Sequence, residues 1–196
     1  MSTNIPSSDP IHDLPVTDTD RVYDLIDEHA DTLDLSPPVV KTIIDLFGRA
    51  YERTSLAGRG SIVGVAAAVR VACQLHDEPR SISEIAAVTD AKEKLIARES
   101  QKIQHVTGEH TTPTDAQTYL DHWTDKLDAD TETRHNAADL LNEVHFLRTP
   151  AAAAAGALWA ALASQNDRNI NQEDIVRETH TSAYTLRKVQ SDIDSG

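Results

Sequence analysis

Apolar positions recur three and four residues apart along almost the whole of this 196-residue chain. That spacing puts one stripe of a helix against a core. A first helix is predicted over 19–33, with Val22, Leu25, Ile26 and Ala30 on one face. Ser36, Pro37 and Pro38 open a second: a cap residue, then proline in the first turn, where no N–H is needed. Its stripe is Val39, Val40, Ile43, Ile44, Phe47 and Tyr51. Gly58, Arg59 and Gly60 break the chain, and Ser61 is placed to cap a third helix over 62–76. This third helix is apolar almost all round (Ile62, Val63, Val65, Ala66, Ala67, Val69, Val71, Ala72, Cys73, Leu75), the pattern of the buried centre of a bundle. After Pro79, Ser81 and Glu84 form a capping box for a short helix over 82–88, and a fifth follows over 91–104 with Leu95, Ile96 and Ile103 inward. No run alternates with period two, so the expected fold is all-α.

Gly108, Thr111, Thr112 and Pro113 mark a linker, and the pattern then restarts, with helices predicted over 115–127, 131–146, 150–165, 171–179 and 182–193. The restart is an internal repeat. VAAAVRVACQL at 65–75 lies over AAAGALWAALA at 153–163 with an offset of 88. Further on the offset is 90, pairing Ile85 with Ile175, Thr89 with Thr179, Ile96 with Leu186 and Ile103 with Ile193. Each half ends in a short helix, a turn and a longer helix, the proportions of a helix-turn-helix. The predicted organisation is a disordered arm over 1–17, rich in Pro, Ser, Thr and Asp, a first repeat over 18–107, a linker over 108–114 and a second repeat over 115–194.

Charge complicates the picture. Thirty-two acidic and 18 basic residues give −14, split evenly as −7 over 1–110 and −7 over 111–196, so no single acidic tail accounts for it. Such a balance argues against contact with phosphate. It also suits a high-salt cytoplasm, where acidic surfaces keep proteins soluble and long-range fields are screened. The first residues lack a basic and an apolar signal region, and no apolar run is long enough to span a membrane. A cytoplasmic, nucleoid-associated location and no membrane partner are expected. The lone Cys73 rules out an internal disulfide.

The stretch GRGSIVGVAAAVRVACQLHDEPRSISEIAAVTD, followed by Lys94-Leu95-Ile96-Ala97-Arg98, resembles the first cyclin-like repeat of transcription factor IIB and its archaeal counterpart. The family's G-R-S-I element is matched by Gly58-Arg59-Gly60-Ser61-Ile62, with one extra glycine, and its P-R-S/T-L-x-E-I-A by Pro79-Arg80-Ser81-Ile82-Ser83-Glu84-Ile85-Ala86. In the second half, Thr149-Pro150 and the alanine run through Leu158-Trp159-Ala160-Ala161 resemble the family's S-P-A-x-x-A-A-A-A-L-Y-A-A, and Thr185-Leu186-Arg187 its T-I-R. The likeness covers roughly residues 20–194. It implies two tandem five-helix cyclin-like repeats that clamp TATA-binding protein on promoter DNA, the second repeat reading the element upstream of the TATA box. Together with the acidity it points to a halophilic archaeon. Family members also carry a zinc ribbon with four metal ligands and a linker that enters the polymerase active site. With about 17 residues before its first helix and one cysteine, the chain is expected to lack that ribbon. Direct contact with RNA polymerase by that route is therefore not expected, which leaves a core able to bind promoter DNA and regulate, compete or work with another chain.

The candidate DNA-binding residues are Thr181, Ser182, Tyr184, Thr185, Arg187 and Lys188 in the second repeat, with Lys92, Lys94 and Arg98 in the first. A recognition helix brings its N-terminal side chains to base edges while flanking cations hold phosphates. Residues 177–190 carry Arg177, Arg187 and Lys188 against Glu178, a local +2; residues 90–102 carry +1. Tyr184 stands where the family has a small branched residue facing a base, which implies an altered sequence preference. Trp123 and Trp159 sit among apolar neighbours as core anchors. Nine scattered histidines form no HExxH pattern, and no phosphate loop or nucleophile elbow is present, so neither a metal, a cofactor nor an enzymatic activity is expected. The alternative is a cyclin-like module that binds other proteins and never touches DNA, which the acidity favours.

Overall fold

Buried aliphatic stripes at helical spacing become ten helices in the computed structural model, which describes residues 16–52, 61–143, 149–164 and 170–194. They are α1 (Val16–Leu33), α2 (Pro37–Glu52), α3 (Ser61–Leu75), α4 (Ile82–Thr89), α5 (Glu93–Thr107), α6 (Ala116–Lys126), α7 (Thr131–Glu143), α8 (Pro150–Ser164), α9 (Gln172–Thr179) and α10 (Ala183–Ile193). No strand occurs among the described residues, and none of their helices is long and apolar enough to cross a membrane. The chain divides into two compact units between Thr112 and Pro113.

In the first unit α3 is the axle and touches α1, α2, α4 and α5. Its residues from Val65 to Val69 and from Val71 to Cys73 are buried, together with Val22 and Ile26 of α1, Ile43 and Leu46 of α2, Ile85 of α4, and Ile96 and Ile103 of α5. Alanine on all sides is what lets four neighbours approach one helix. In the second unit α8 takes that place, against α6, α7, α9 and α10. There Trp123, fully buried and stacked on Tyr119 at 5.3 Å between ring centroids, supplies the bulk that the alanines of α8 lack.

The structure corrects three sequence expectations. Helix α1 begins at Val16, so residues 16 and 17 belong to it and not to an arm; residues 1–15 lie outside the described part. Ser61, expected as a cap, is the first helical residue of α3, and the Gly58–Gly60 break lies outside the described residues, as does 144–148 at the end of the predicted seventh helix. The offset between α3 and α8 is 89, not 88. At 89 the half-exposed Arg70 and Gln74 fall on the half-exposed Trp159 and Ala163, and buried Val69, Val71 and Cys73 fall on buried Leu158, Ala160 and Leu162. Runs of alanine look alike after a one-residue slip, so sequence could not phase them; burial does.

Candidate nucleic-acid interface

From α4 onward corresponding features of the two halves recur 90 residues apart. Each short helix opens with a complete capping box. Ser81 Oγ accepts from Glu84 N (3.1 Å) while the Glu84 carboxylate accepts from Ser81 N (2.6 Å). Asn171 Oδ1 accepts from Asp174 N (3.1 Å) while Asp174 accepts from Asn171 N (3.0 Å). Each ends with a threonine hydroxyl donating to the carbonyl four residues back: Thr89 to Ile85 (2.7 Å) and Thr179 to Ile175 (2.8 Å). A left-handed residue then turns the chain, Asp90 (φ 51°) in one half and His180 (φ 50°) in the other. Aspartate and histidine are among the non-glycine residues enriched in this region.

Ser182 is the N-cap of α10, its Oγ accepting from Thr185 N at 3.1 Å and lying 2.9 Å from Thr185 Oγ1. Thr181 does not cap the helix; its N–H donates to Thr179 Oγ1 (3.1 Å) and stabilises the turn. Leu186 and Val189 are fully buried on the inner side of α10. Val189 rests directly on Gly156 of α8, where a Cβ would stand 2.3 Å from Val189 Cβ. Beside it, Trp159 Nε1 donates to Gln190 Oε1 (2.8 Å). The helix is thus tightly seated, and Ser182, Tyr184, Arg187 and Lys188 are exposed while Thr185 is half-buried. Tyr184, 70 % exposed, is the one large apolar side chain left in solvent among the described residues.

The cations of this face differ in availability. Arg177 donates to Asp174 (2.7 Å) and Glu178 (3.3 Å), which raises its pKa, the Asp174 contact contributing most. Asp174 is held below the usual carboxylate range first by the Asn171 N–H and then by Arg177. Burial pushes Glu178 upward, but Lys126 of α6 (3.1 Å) and Arg177 outweigh it and leave it low. Lys188 lies 3.6 Å from Asp192, whereas Arg187 has no ion pair among the described residues.

In the first unit Lys92, the N-cap of α5, and Lys94 are exposed, and neither has an ion pair among the described residues. Arg98 Nε (3.1 Å) and Lys102 Nζ (3.0 Å) both meet Glu99 Oε1. The Glu99 side chain is only 2 % exposed and Arg98 is 58 % exposed. Glu99 occupies the place of Val189 in the other half, and sequence reading missed its burial because it sits in a run of charges on α5.

A second feature missed in the sequence is the use of arginine to close helix ends. Arg80, inside the Pro79–Ala86 motif, donates from Nε to the Leu33 carbonyl (2.8 Å) and from Nη2 to Asp34 (2.9 Å), covering the end of α1. Arg134 does the same for α6 through Ala129 (2.9 Å) and Thr124 (3.1 Å), and Arg49 reaches Thr107 at the end of α5. Orphan carbonyls and the negative dipole end attract such donors. Trp123 is buried as expected of a core anchor; Trp159 is half-buried against the same core and is also tied to α10. Burial pushes the Cys73 thiol up to about 12, which keeps it protonated and inert at neutral pH.

Two all-helical repeats, each built round an alanine-rich axle and closed by a capped helix pair, define a helical repeat protein with helix-turn-helix-like ends. Residues 17–105 match the family model described as the Transcription factor TFIIB repeat. The chain shares this likeness with relatives named as transcription initiation factors IIB, matched over most of its length. It is 32 % identical over 168 residues to Transcription initiation factor IIB 6 of Halobacterium salinarum, covering 83 % of this chain and 52 % of that protein. It is 26 % identical over 167 residues to Transcription initiation factor IIB 2 of Thermococcus kodakarensis, covering 83 % of this chain and 54 % of that one. With Transcription initiation factor IIB of Archaeoglobus fulgidus it shares 28 % identity over 83 % of this chain and 51 % of the relative. The chain spans about half the length of the curated relatives it matches. All three of these relatives are named as transcription initiation factors.

Proposed function

We propose that this chain acts in transcription initiation by binding promoter DNA together with TATA-binding protein. In this reading α10 enters the major groove, where Ser182, Tyr184 and Thr185 near its N-terminus meet base edges. Arg187, Lys188 and the backbone N–H groups that open α10 just after Thr181 meet phosphates. The first repeat adds Lys92, Lys94 and Arg98 toward the flanking backbone and contacts TATA-binding protein. The observation that carries the reading is the exposed outer face of α10, which holds Tyr184 and Arg187, the latter without an ion pair among the described residues, over an inner face locked to α8. The names of the relatives support the same process.

One set of observations favours a protein-only module. The chain carries −14, and Arg98, Lys102, Lys126, Arg177 and Lys188 all meet carboxylates of the same chain. An electrophoretic shift of TATA-box duplex with an archaeal TATA-binding protein at molar salt separates the two. A slower, ternary band on adding this chain is the expected result. Binding to TATA-binding protein that DNA neither requires nor strengthens would overturn DNA reading in favour of the protein-only module.

A further inference from the structure

We infer that Tyr184 makes the second repeat selective for a thymine methyl group at one fixed position of its DNA site. This rests on the promoter-binding reading above and adds the chemistry of what is read.

Tyr184 is the second residue of α10, after the Ser182 cap and Ala183. Side chains on a helix tilt toward its N-terminus, so the phenol ring covers the end of α10 that leads into a groove. Tyr184, Arg187, Lys188 and Ser191 recur at helical spacing along the exposed face. The opposite face is pinned by Val189 on Gly156 and by Gln190 on Trp159, so the ring is presented from a fixed base. Every other large apolar side chain among the described residues is at least partly covered. Tyr184, 70 % exposed, is therefore the one large apolar surface that the outer face of α10 offers to a groove.

The neighbouring chemistry narrows the partner. Arg187, one turn on, has no carboxylate partner among the described residues and is free to take a phosphate or a guanine edge. A ring beside such a cation needs an apolar target within a polyanion, and in the major groove that target is the C5-methyl of thymine. The same position in the first repeat is Lys94, which is suited to phosphate and not to a methyl group. The two repeats therefore differ where one would read and the other would hold.

The test starts from selection of sites out of a randomised duplex pool by the full chain with TATA-binding protein, followed by replacement of each selected thymine with deoxyuridine. Burial of one methyl group corresponds to about a fourfold change in affinity. Wild type and Tyr184→Phe are expected to lose about fourfold at one position, and Tyr184→Ala to lose nothing there and to accept any base. Circular dichroism should show all three folded alike. If Tyr184→Ala selects the same site and responds to deoxyuridine as wild type does, the inference is overturned while promoter binding stands. If the variant loses only its grip on TATA-binding protein, the ring faces protein and the inference is again overturned. If wild type selects no DNA at all, promoter binding fails and this inference with it.

Discussion

Replacing Gly156 by alanine is expected to unseat α10. A Cβ built on Gly156 would stand 2.3 Å from both Cβ and Cγ1 of Val189 and 2.9 Å from Cγ2. Carbon atoms pack at roughly 3.5–4.0 Å, so the two helices would have to part by about 1 Å or more. Turning the valine does not help, because its Cβ is fixed by the backbone and itself obstructs. Parting opens space around Leu186 and Val189, both fully buried, and stretches the Trp159–Gln190 hydrogen bond. Overpacking of this kind costs about 1–3 kcal/mol. For a unit of this size that lowers the melting midpoint by roughly 5–20 °C.

Both tryptophans, Trp123 and Trp159, belong to the second unit, so thermal unfolding followed by tryptophan fluorescence reports the unit that is perturbed. The geometry also specifies the rescue. Val189→Ala leaves the obstructing Cβ in place and should relieve little. Val189→Gly removes it, and Gly156→Ala with Val189→Gly should be more stable than the sum of the single effects by about 1–2 kcal/mol. A Gly156→Ala midpoint equal to wild type, or equal rescue by Val189→Ala, would refute the close crossing.

Removing a cap should cost about 1 kcal/mol: Ser81→Ala and Asn171→Ala are each expected to lower a midpoint by about 4–8 °C, and no change in either would contradict the capping boxes. His29 is buried, its Nδ1 has no hydrogen-bond partner among the described residues, and burial lowers its pKa despite the opposing charge of Glu28. The unfolded chain therefore binds the proton more readily, and stability present above about pH 6.5 is lost as pH falls below it; denaturation between pH 7.5 and 5.5 should show this fall, and His29→Leu should flatten it. Each phosphate-bound cation contributes about −0.9 to the log–log salt slope of DNA binding, so Arg187→Ala should flatten that slope by about 0.9 while Arg177→Ala leaves it unchanged. Equal flattening by both would show that Arg177 leaves Asp174 and Glu178 for DNA.

Helical periodicity made most of this fold legible. Ile85, Ile96, Ile175 and Leu186 are fully buried where the stripes put them, and the Ser81–Glu84 box forms as its spacing implies. Several helix ends were less legible because glycine does not mark them. Asp34, Asp77, Asp90, Asp128 and His180 take the left-handed conformation instead. An aspartate in sequence looks like surface charge, whereas here its short acceptor side chain suits the turn. The arginine closures were hidden for a related reason: Arg80 reaches a helix end 47 residues back, and nothing local signals that.

Charge was the part least readable from local counts. The +2 over 177–190 ignores Asp174 and Asp192, which lie just outside that window yet meet Arg177 and Lys188. Lys126 reaches Glu178 from another helix altogether. What matters for a polyanion is which donors still point outward after such pairing. Arg98 spends its Nε on Glu99 while its side chain stays 58 % exposed. At the matching place in the second repeat Val189 replaces that carboxylate and brings α10 down onto Gly156. This is one of the buried positions at which the two copies differ. The carboxylate there pairs with Arg98 and Lys102 of α5, while the valine there packs on Gly156 of α8. That difference supports assigning backbone holding to the first repeat and base reading to the second.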